Sequence, residues 1–395
     1  MGGSGNHPPE GTCTMRKIFM ALLAYSIFFP KLQAEEDTLY IGTYTGGKSQ
    51  GIYRMAFDAE KGTLEGLALA AKTNSPSFLA LDGESRRLYC VNEISNYQKK
   101  SAGSLGSFSV GKDFSLTAIG ETSSMGAGPC HLSLHPNKHF LFAANYGGGS
   151  VCSIPIEASG RLGNAASFVQ HKGTGPNKGR QEAPHAHSAV VSPDGNYLAV
   201  ADLGLDKVLL YKVDQEKGTL AANQPPFLEL SPGAGPRHMA FHPSGKFLFV
   251  VNEMDSTVTC FNWNPKQADF TKGQSVSTLP KGFKGNTSTA EIIAHPNGQA
   301  IYASNRGHNS IAVISFDALK GSMALIGNAG DKVNTPRNFT LHPDGKWLLV
   351  GNQGSDSISV FRVMGNDALG GLAFNGLVEN VPSPVCLRFW PRTNR

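Results

Sequence analysis

Three charged residues and one histidine segment stand out in this chain: Arg237, Glu253, Arg306 and Pro184-His185-Ala186-His187-Ser188. A guanidinium pairs through its planar fork with both oxygens of a carboxylate, a phosphate or a developing oxyanion. Carboxylates and imidazoles are the usual carriers of protons near neutral pH. Together these residue types suit a site that grips an anion and moves a proton. The bland alternative is a solvated ion pair between Arg237 and Glu253, which would be worth little.

Residues so far apart need a scaffold that brings them together, and a repeat supplies it. The segment Pro236-Arg237-His238-Met239-Ala240-Phe241-His242-Pro243-Ser244-Gly245-Lys246-Phe247-Leu248-Phe249-Val250-Val251-Asn252-Glu253 is echoed from near Pro76, Pro129, Pro184, Ala290 and Pro336. A partial copy, Pro384-Val385-Cys386-Leu387-Arg388-Phe389, follows, and the spacings run from 46 to 55 residues. Each copy reads as an alternating strand, a turn such as His342-Pro343-Asp344-Gly345-Lys346, and a second apolar strand. A third strand follows, and a Lys-Gly-Thr-Leu turn at Lys61–Leu64 and Lys217–Leu220 leads into a fourth. Four strands per repeat of this length predict an all-β, seven-bladed β-propeller over residues 38–391. Leu39–Tyr44 aligns with a second strand, and the C-terminal copy offers only a first strand. The two are expected to complete one blade, hiding sheet edges that would otherwise invite aggregation; an open β-solenoid would need no such complementary ends.

Reflecting each repeat about its turn predicts which residues meet at one end of a blade. Arg237 then falls opposite Glu253, His187 opposite Asp202, His131 opposite Asn145, and Arg337 opposite Asn352 and Gln353. Because the first strand of a blade lines the central channel, this end should ring the channel mouth, where propeller ligands bind. The candidates there are Thr43, Tyr44, Asn92, Glu93, His131, Asn145, Tyr146, His185, His187, Arg237, His238, Asn252, Glu253, Asn305, Arg306, His308, Arg337 and Asn352. His238 and Arg337 read equally well as satisfied loop residues and as ligand contacts. The repeated turn histidines His135, His242, His295 and His342 are expected to be structural and to point away from the mouth. The Asn near the end of five second strands, at 92, 145, 252, 305 and 352, reads as a turn device that bonds its own backbone. Gly147-Gly148-Gly149 reads as a hairpin turn, since no helix follows to make it a phosphate cradle.

Composition narrows the class further. Of 395 residues, 46 are glycine and 23 proline, without a collagen period, which fits a turn-rich fold. The net charge of +5 falls to +3 outside residues 1–34, too even a balance to imply nucleic-acid binding. Met15-Arg16-Lys17, the apolar run Ile18–Phe29 and Leu32-Gln33-Ala34 predict a signal peptide over residues 15–34, preceded by an upstream extension over 1–14. The apolar run is too short to span a bilayer. Periplasmic or extracellular residence is therefore expected. The cysteines beyond it (Cys90, Cys130, Cys152, Cys260 and Cys386) are odd in number and scattered, so no disulfide framework is expected. Neither Cys-x-x-Cys nor His-Glu-x-x-His occurs, leaving a zinc site without support.

The motifs Leu39-Tyr40-Ile41-Gly42-Thr43-Tyr44-Thr45, Ala144-Asn145-Tyr146, Pro184-His185-Ala186-His187, Gly235-Pro236-Arg237-His238, Val251-Asn252-Glu253 and Ser304-Asn305-Arg306-Gly307-His308 together resemble the seven-bladed propeller lactonases. That family includes propeller-type bacterial 6-phosphogluconolactonase and the fungal carboxymuconate-lactonising cyclase. The resemblance implies an active site of Arg237, Glu253, Arg306 and a histidine of the His185–His187 segment, for which His187 is chosen; His185, His238, Asn145, Tyr146, Asn305 and Arg337, from their expected place at the mouth, are the expected substrate contacts. It also implies a small-molecule lactone or sugar acid as partner and no metal cofactor. In such a reaction Glu253 or His187 would be the base, and Arg237 and Arg306 would hold an oxyanion or a substrate carboxylate. Three alternatives stay open: a cyclase making the reverse bond change, a calcium-dependent lactonase using Glu253, Asp202 and the Asn ring as oxygen ligands, and a binding propeller without catalysis. The expected export departs from the cytosolic phosphogluconolactonases and bears on whether the substrate is phosphorylated.

Overall fold

The computed structural model describes residues 1–6, 37–265, 269–364 and 371–391. The expected signal peptide at 15–34 lies outside them. Residues 37–391 form seven four-stranded antiparallel sheets, six of them with their strands in chain order from the channel outward. The inner strands are Pro384–Phe389, Phe78–Asp82, Pro129–Leu134, Ala186–Val191, Pro236–Phe241, Ser288–Ala294 and Pro336–Leu341. They define blades 1 to 7 in that order, and each packs against the next around a complete ring. Blade 1 is the expected composite: Leu39 pairs with Phe389 and Thr43 with Pro384.

Alternation explains how the ring is filled. One face of each sheet packs against the facing side of the next, so the core is divided into slabs between blades. Phe247, Phe249 and Ile301 fill the slab between blades 5 and 6; Tyr302, Phe339 and Leu348 fill that between 6 and 7. The five cysteines Cys90, Cys130, Cys152, Cys260 and Cys386 are buried and free. Among the described residues no helix is long and apolar enough to cross a membrane.

The turn histidines tie blades together, as their repetition suggested. In blade 5, His242 Nδ1 accepts from Ser244 N (3.0 Å) in its own turn, while Nε2 donates to the Gly298 carbonyl of blade 6 (2.9 Å). His135 reaches Gly195 and His295 reaches Gly345 in the same way, at 2.9 and 3.0 Å. Gly298 has φ +75°, and a Cβ there would lie 2.5 Å from His242 Nε2, so both conformation and space require glycine. His342 closes the ring differently, on the Asp37 carboxylate (2.8 Å).

At the opposite rim the expected register is off by one, for a physical reason. Six inner strands carry a β-bulge at their first residues. Pro236 pairs with Asn252 and His238 with Val251, leaving Arg237 as the extra residue; Cys130, His187 and Arg337 occupy the same slot in blades 3, 4 and 7. His187, His131 and Arg337 therefore do not face Asp202, Asn145 and Asn352; their neighbours Ala186, Pro129 and Pro336 do. A bulge bends the strand and re-aims one side chain. Here it presents the functional candidates at the channel mouth.

Candidate active site

The centre of the mouth is the carboxylate of Glu253, just beyond the second strand of blade 5. Arg237 Nε and Arg306 Nη2 each donate to its Oε2 at 2.9 Å, and Arg180 Nη2 donates to Oε1 at 2.7 Å. His187 Nε2 lies 4.0 Å from Oε2. Arg237 is only 1% exposed, so the solvated-pair alternative does not hold. Its Nη1 donates to the carbonyl of Ala290 (2.7 Å), a bulge residue of blade 6, and Arg306 Nη2 also donates to Thr289 O (2.8 Å). Carbonyls at this irregularity thus anchor both guanidinium groups.

Electrostatics assign different characters to these groups. Burial pushes the Glu253 carboxyl upward, but Arg306, Arg237 and Arg180 outweigh it and hold the group near a pKa of about 2. It is a permanent anion and a poor proton acceptor. Burial, then Arg237, His238 and Arg337, hold His187 well below the ordinary imidazole value, so its ring is neutral at pH 7. Burial also lowers Arg306, to about 10, which leaves it charged. Arg306 Nε is a buried donor with no hydrogen-bond partner among the described residues.

Around this centre the wall is aromatic and cationic. Tyr146 stacks on His185 with centroids 4.6 Å apart and meets His187 edge-on at 5.2 Å. His185 Nδ1 bonds the Tyr146 carbonyl (3.0 Å), so His185 braces Tyr146 while His187 reaches the carboxylate. Tyr44 donates its hydroxyl to Glu93 (2.9 and 3.0 Å), and the Arg337 guanidinium lies over the Tyr44 ring at 5.2 Å. Four guanidinium groups, of Arg180, Arg237, Arg306 and Arg337, face two carboxylates, of Glu253 and Glu93, leaving the mouth positive.

Three expected contacts, Asn145, Asn305 and His238, are engaged elsewhere. Asn145 donates to Ser124 O and Ser150 Oγ, and Asn305 to Thr278 O and Ser310 Oγ, at 3.0 to 3.2 Å. These carboxamides are buried ties to neighbouring structure. Asn252 and Asn352 likewise bond Thr257 and Ser357, five residues on, so the repeated Asn ties the second strand to the third over the turn between them and does not bond its own backbone. Asp202 is taken up by His171 Nδ1 (2.6 Å) and the backbone amides of His185 and Gly204. With Asp202 and the Asn ring so engaged, and Glu253 surrounded by cations, the calcium-ligand arrangement does not form. Gly149 N bonds Tyr146 O (3.4 Å), closing the expected hairpin turn. His238 lies deeper, against Glu291. Sequence reasoning missed Arg180, Cys130 and Glu291; only Glu291 left a trace, as a charge inside the apolar run Ala290–Ala294.

Comparison with known proteins shows the family. Residues 38–389 match the family described as lactonase, seven-bladed β-propeller. The chain belongs to that family. It is 33% identical over 351 residues to the 6-phosphogluconolactonase of Bacillus subtilis, covering 89% of this chain and 97% of that one. A 6-phosphogluconolactonase of Formosa agariphila is 30% identical over 333 residues, covering 82% and 92%. Among solved structures, the periplasmic gluconolactonase of Pseudomonas aeruginosa superposes with a TM-score of 0.83 at 31% identity, covering 90% of this chain and 99% of that chain. The lactonase propeller is therefore both the fold and the family, and its relatives support lactone hydrolysis.

Proposed function

We propose that this propeller lactonase hydrolyses a lactone that carries an anionic group outside the ring, such as a phosphorylated aldonolactone, by general acid–base chemistry carried by its own side chains. The observation that carries the reading is Glu253 held by three guanidinium groups beside a neutral His187. Glu253 orients Arg237 and Arg306, whose guanidinium groups stabilise the oxyanion formed when water attacks the carbonyl carbon. His187 takes the water proton; its imidazole is neutral and accepts where the Glu253 carboxylate does not. The proton returns to the ring oxygen as the C–O bond breaks, giving the hydroxy acid. Arg337, which makes no direct ion pair among the described residues, holds the substrate anion. Ring-opening rates on paired phosphorylated and unphosphorylated aldonolactones, with Arg337→Ala alongside, test this. Selective loss of the charged substrate is expected; equal rates on neutral lactones would refute the anion preference.

Export is the companion proposal. It rests on Arg16-Lys17 and the apolar run that follows, and a relative described as periplasmic supports it. Mass measurement of the protein from its native host is expected to find a chain starting near Glu35.

A further inference from the structure

Two neighbouring bulge slots meet at the His187 ring. Cys130 of blade 3 and His187 of blade 4 are the extra residues of their inner strands, and both are buried. The Cys130 sulfur lies 3.3 Å from the His187 carbonyl oxygen, 3.6 Å from His187 Nδ1 and 3.8 Å from the Ala186 carbonyl oxygen. Burial first, then the Glu93 carboxylate, pushes the thiol upward, so the sulfur keeps its proton at neutral pH. The other ring nitrogen, Nε2, lies 4.0 Å from Glu253 Oε2. Tyr146 and His238 meet the His187 ring edge-on, with centroids 5.2 and 5.3 Å away, and hold its plane.

These contacts decide which nitrogen carries the hydrogen of the neutral imidazole. A carbonyl oxygen only accepts, so the single thiol proton goes to the His187 carbonyl, the nearest of the three partners. The sulfur then turns its lone pairs to Nδ1, and an Nδ1–H answers them. Nε2 is left with its own lone pair. The distance on the other side of the ring agrees: an Nε2–H would be drawn into a hydrogen bond with the Glu253 carboxylate, whereas two acceptors stay apart, and 4.0 Å is beyond hydrogen-bond reach. A free histidine side chain prefers the opposite tautomer, so the arrangement is imposed by what Nδ1 touches. We infer that Cys130 is the positioning residue of the reaction's base: its sulfur holds the hydrogen of His187 on Nδ1 and so presents Nε2 to the proton of the attacking water. The inference rests on the lactonase reading above. As the O–C bond forms, the water O–H bond breaks and its proton binds Nε2. When the ring C–O bond breaks, that proton leaves for the ring oxygen, and Nδ1 keeps its own hydrogen throughout. Sulfur suits the task because a carboxylate in its place would favour the charged ring before substrate arrives, whereas a thiol is a weak and neutral acceptor.

The test pairs spectroscopy with kinetics. ¹⁵N NMR of histidine-labelled wild type at pH 7, with the His187 signals identified by their loss in His187→Gln, is expected to show hydrogen on Nδ1 and a bare Nε2. In Cys130→Ala the same ring should become a mixture of tautomers. On gluconolactone and its 6-phosphate, Cys130→Ala is expected to lower kcat about tenfold with KM within about twofold. Cys130→Ser, whose hydroxyl can donate to the carbonyl and accept from Nδ1, should recover part of both effects. A sulfur that only fills the bulge would cost thermal stability in Cys130→Ala and leave the tautomer and the kcat of the folded enzyme in place. Hydrogen on Nε2 in wild type, or a Cys130→Ala protein whose tautomer or kcat equals that of wild type, overturns the assignment. Should Cys130→Ala fail to fold, the wild-type tautomer and Cys130→Ser decide it. Wild type that opens no lactone overturns the lactonase reading instead, and the tautomers of wild type and variant then decide the Cys130 contact alone.

Discussion

The two rims of the propeller obey opposite rules. At the turn rim the same bond recurs, histidine to the turn glycine of the next blade, in blades 3, 5 and 6. At the bulge rim, equivalent slots hold Cys130 in blade 3, His187 in blade 4, Arg237 in blade 5 and Arg337 in blade 7. Repetition marks what every blade needs in order to stack on its neighbour. Divergence at structurally equivalent positions marks what a single pocket needs, because no two blades view that pocket from the same direction. A bulge suits such a pocket because it frees one side chain per blade from the ladder, while pairing resumes at the next residue.

The sharpest way to break this contrast is to alter one residue at each rim. Arg237→Ala removes an oxyanion donor and is expected to cost about a hundredfold or more in kcat, with a stability loss of roughly 1–3 kcal/mol from the partners left buried. Steady-state kinetics beside urea unfolding reads both; unchanged turnover would return Arg237 to the scaffold. Glu253→Gln should act less strongly, about tenfold in kcat, because the guanidinium groups remain but lose their common anchor. Inhibition by the anionic hydroxy-acid product should tighten as the site becomes more positive.

The pH dependence of stability sharpens the same comparison. The folded carboxyl of Glu253 titrates near 2, below its ordinary value of 4.5. Its contribution to stability is therefore fully present above about pH 4.5 and is lost as the pH falls towards 2. Urea unfolding between pH 6 and 3 should show a shallower decline for Glu253→Gln than for wild type, by an amount on the order of 2 kcal/mol. No acid limb of kcat above pH 4 should belong to this carboxyl. The smallest effect is expected at the turn rim: His242→Ala should lose about 1–2 kcal/mol of stability and keep the turnover of each folded molecule. His295→Ala should lose less, since that ring is partly exposed. Lost turnover in a well-folded His242→Ala protein would mean that the rims are coupled.

Much of this division is legible in the amino-acid order, and the illegible part has a physical cause. Proline-led repeats reveal the blades, and charges that interrupt them reveal Arg237, Glu253 and Arg306. Reflection about a turn assumes that residues pair one to one, and a bulge adds a residue without changing the apolar alternation that sequence reading follows. Arg237 still meets Glu253, but through its long side chain and not as a cross-strand pair. Arg180 stands in the loop between the Ser167–Gln170 strand and blade 4, where no periodicity announces it. Glu291 and Asn338 occupy the slot of His238 in later repeats, yet each reads locally as a single polar residue on a half-buried strand.

The pairing of Asp37–Thr43 with Pro384–Phe389 has a consequence for biosynthesis. The inner strand of blade 1 is translated after the six other blades, so a growing chain can stack those blades while the channel still lacks one stave. Phe78, which lies beneath the Arg388 guanidinium at 4.6 Å in the finished ring, faces that gap until the seam closes. Contacts of such long sequence separation form slowly. The pocket is thus a late product of synthesis, completed by a clasp that contributes none of the groups holding Glu253.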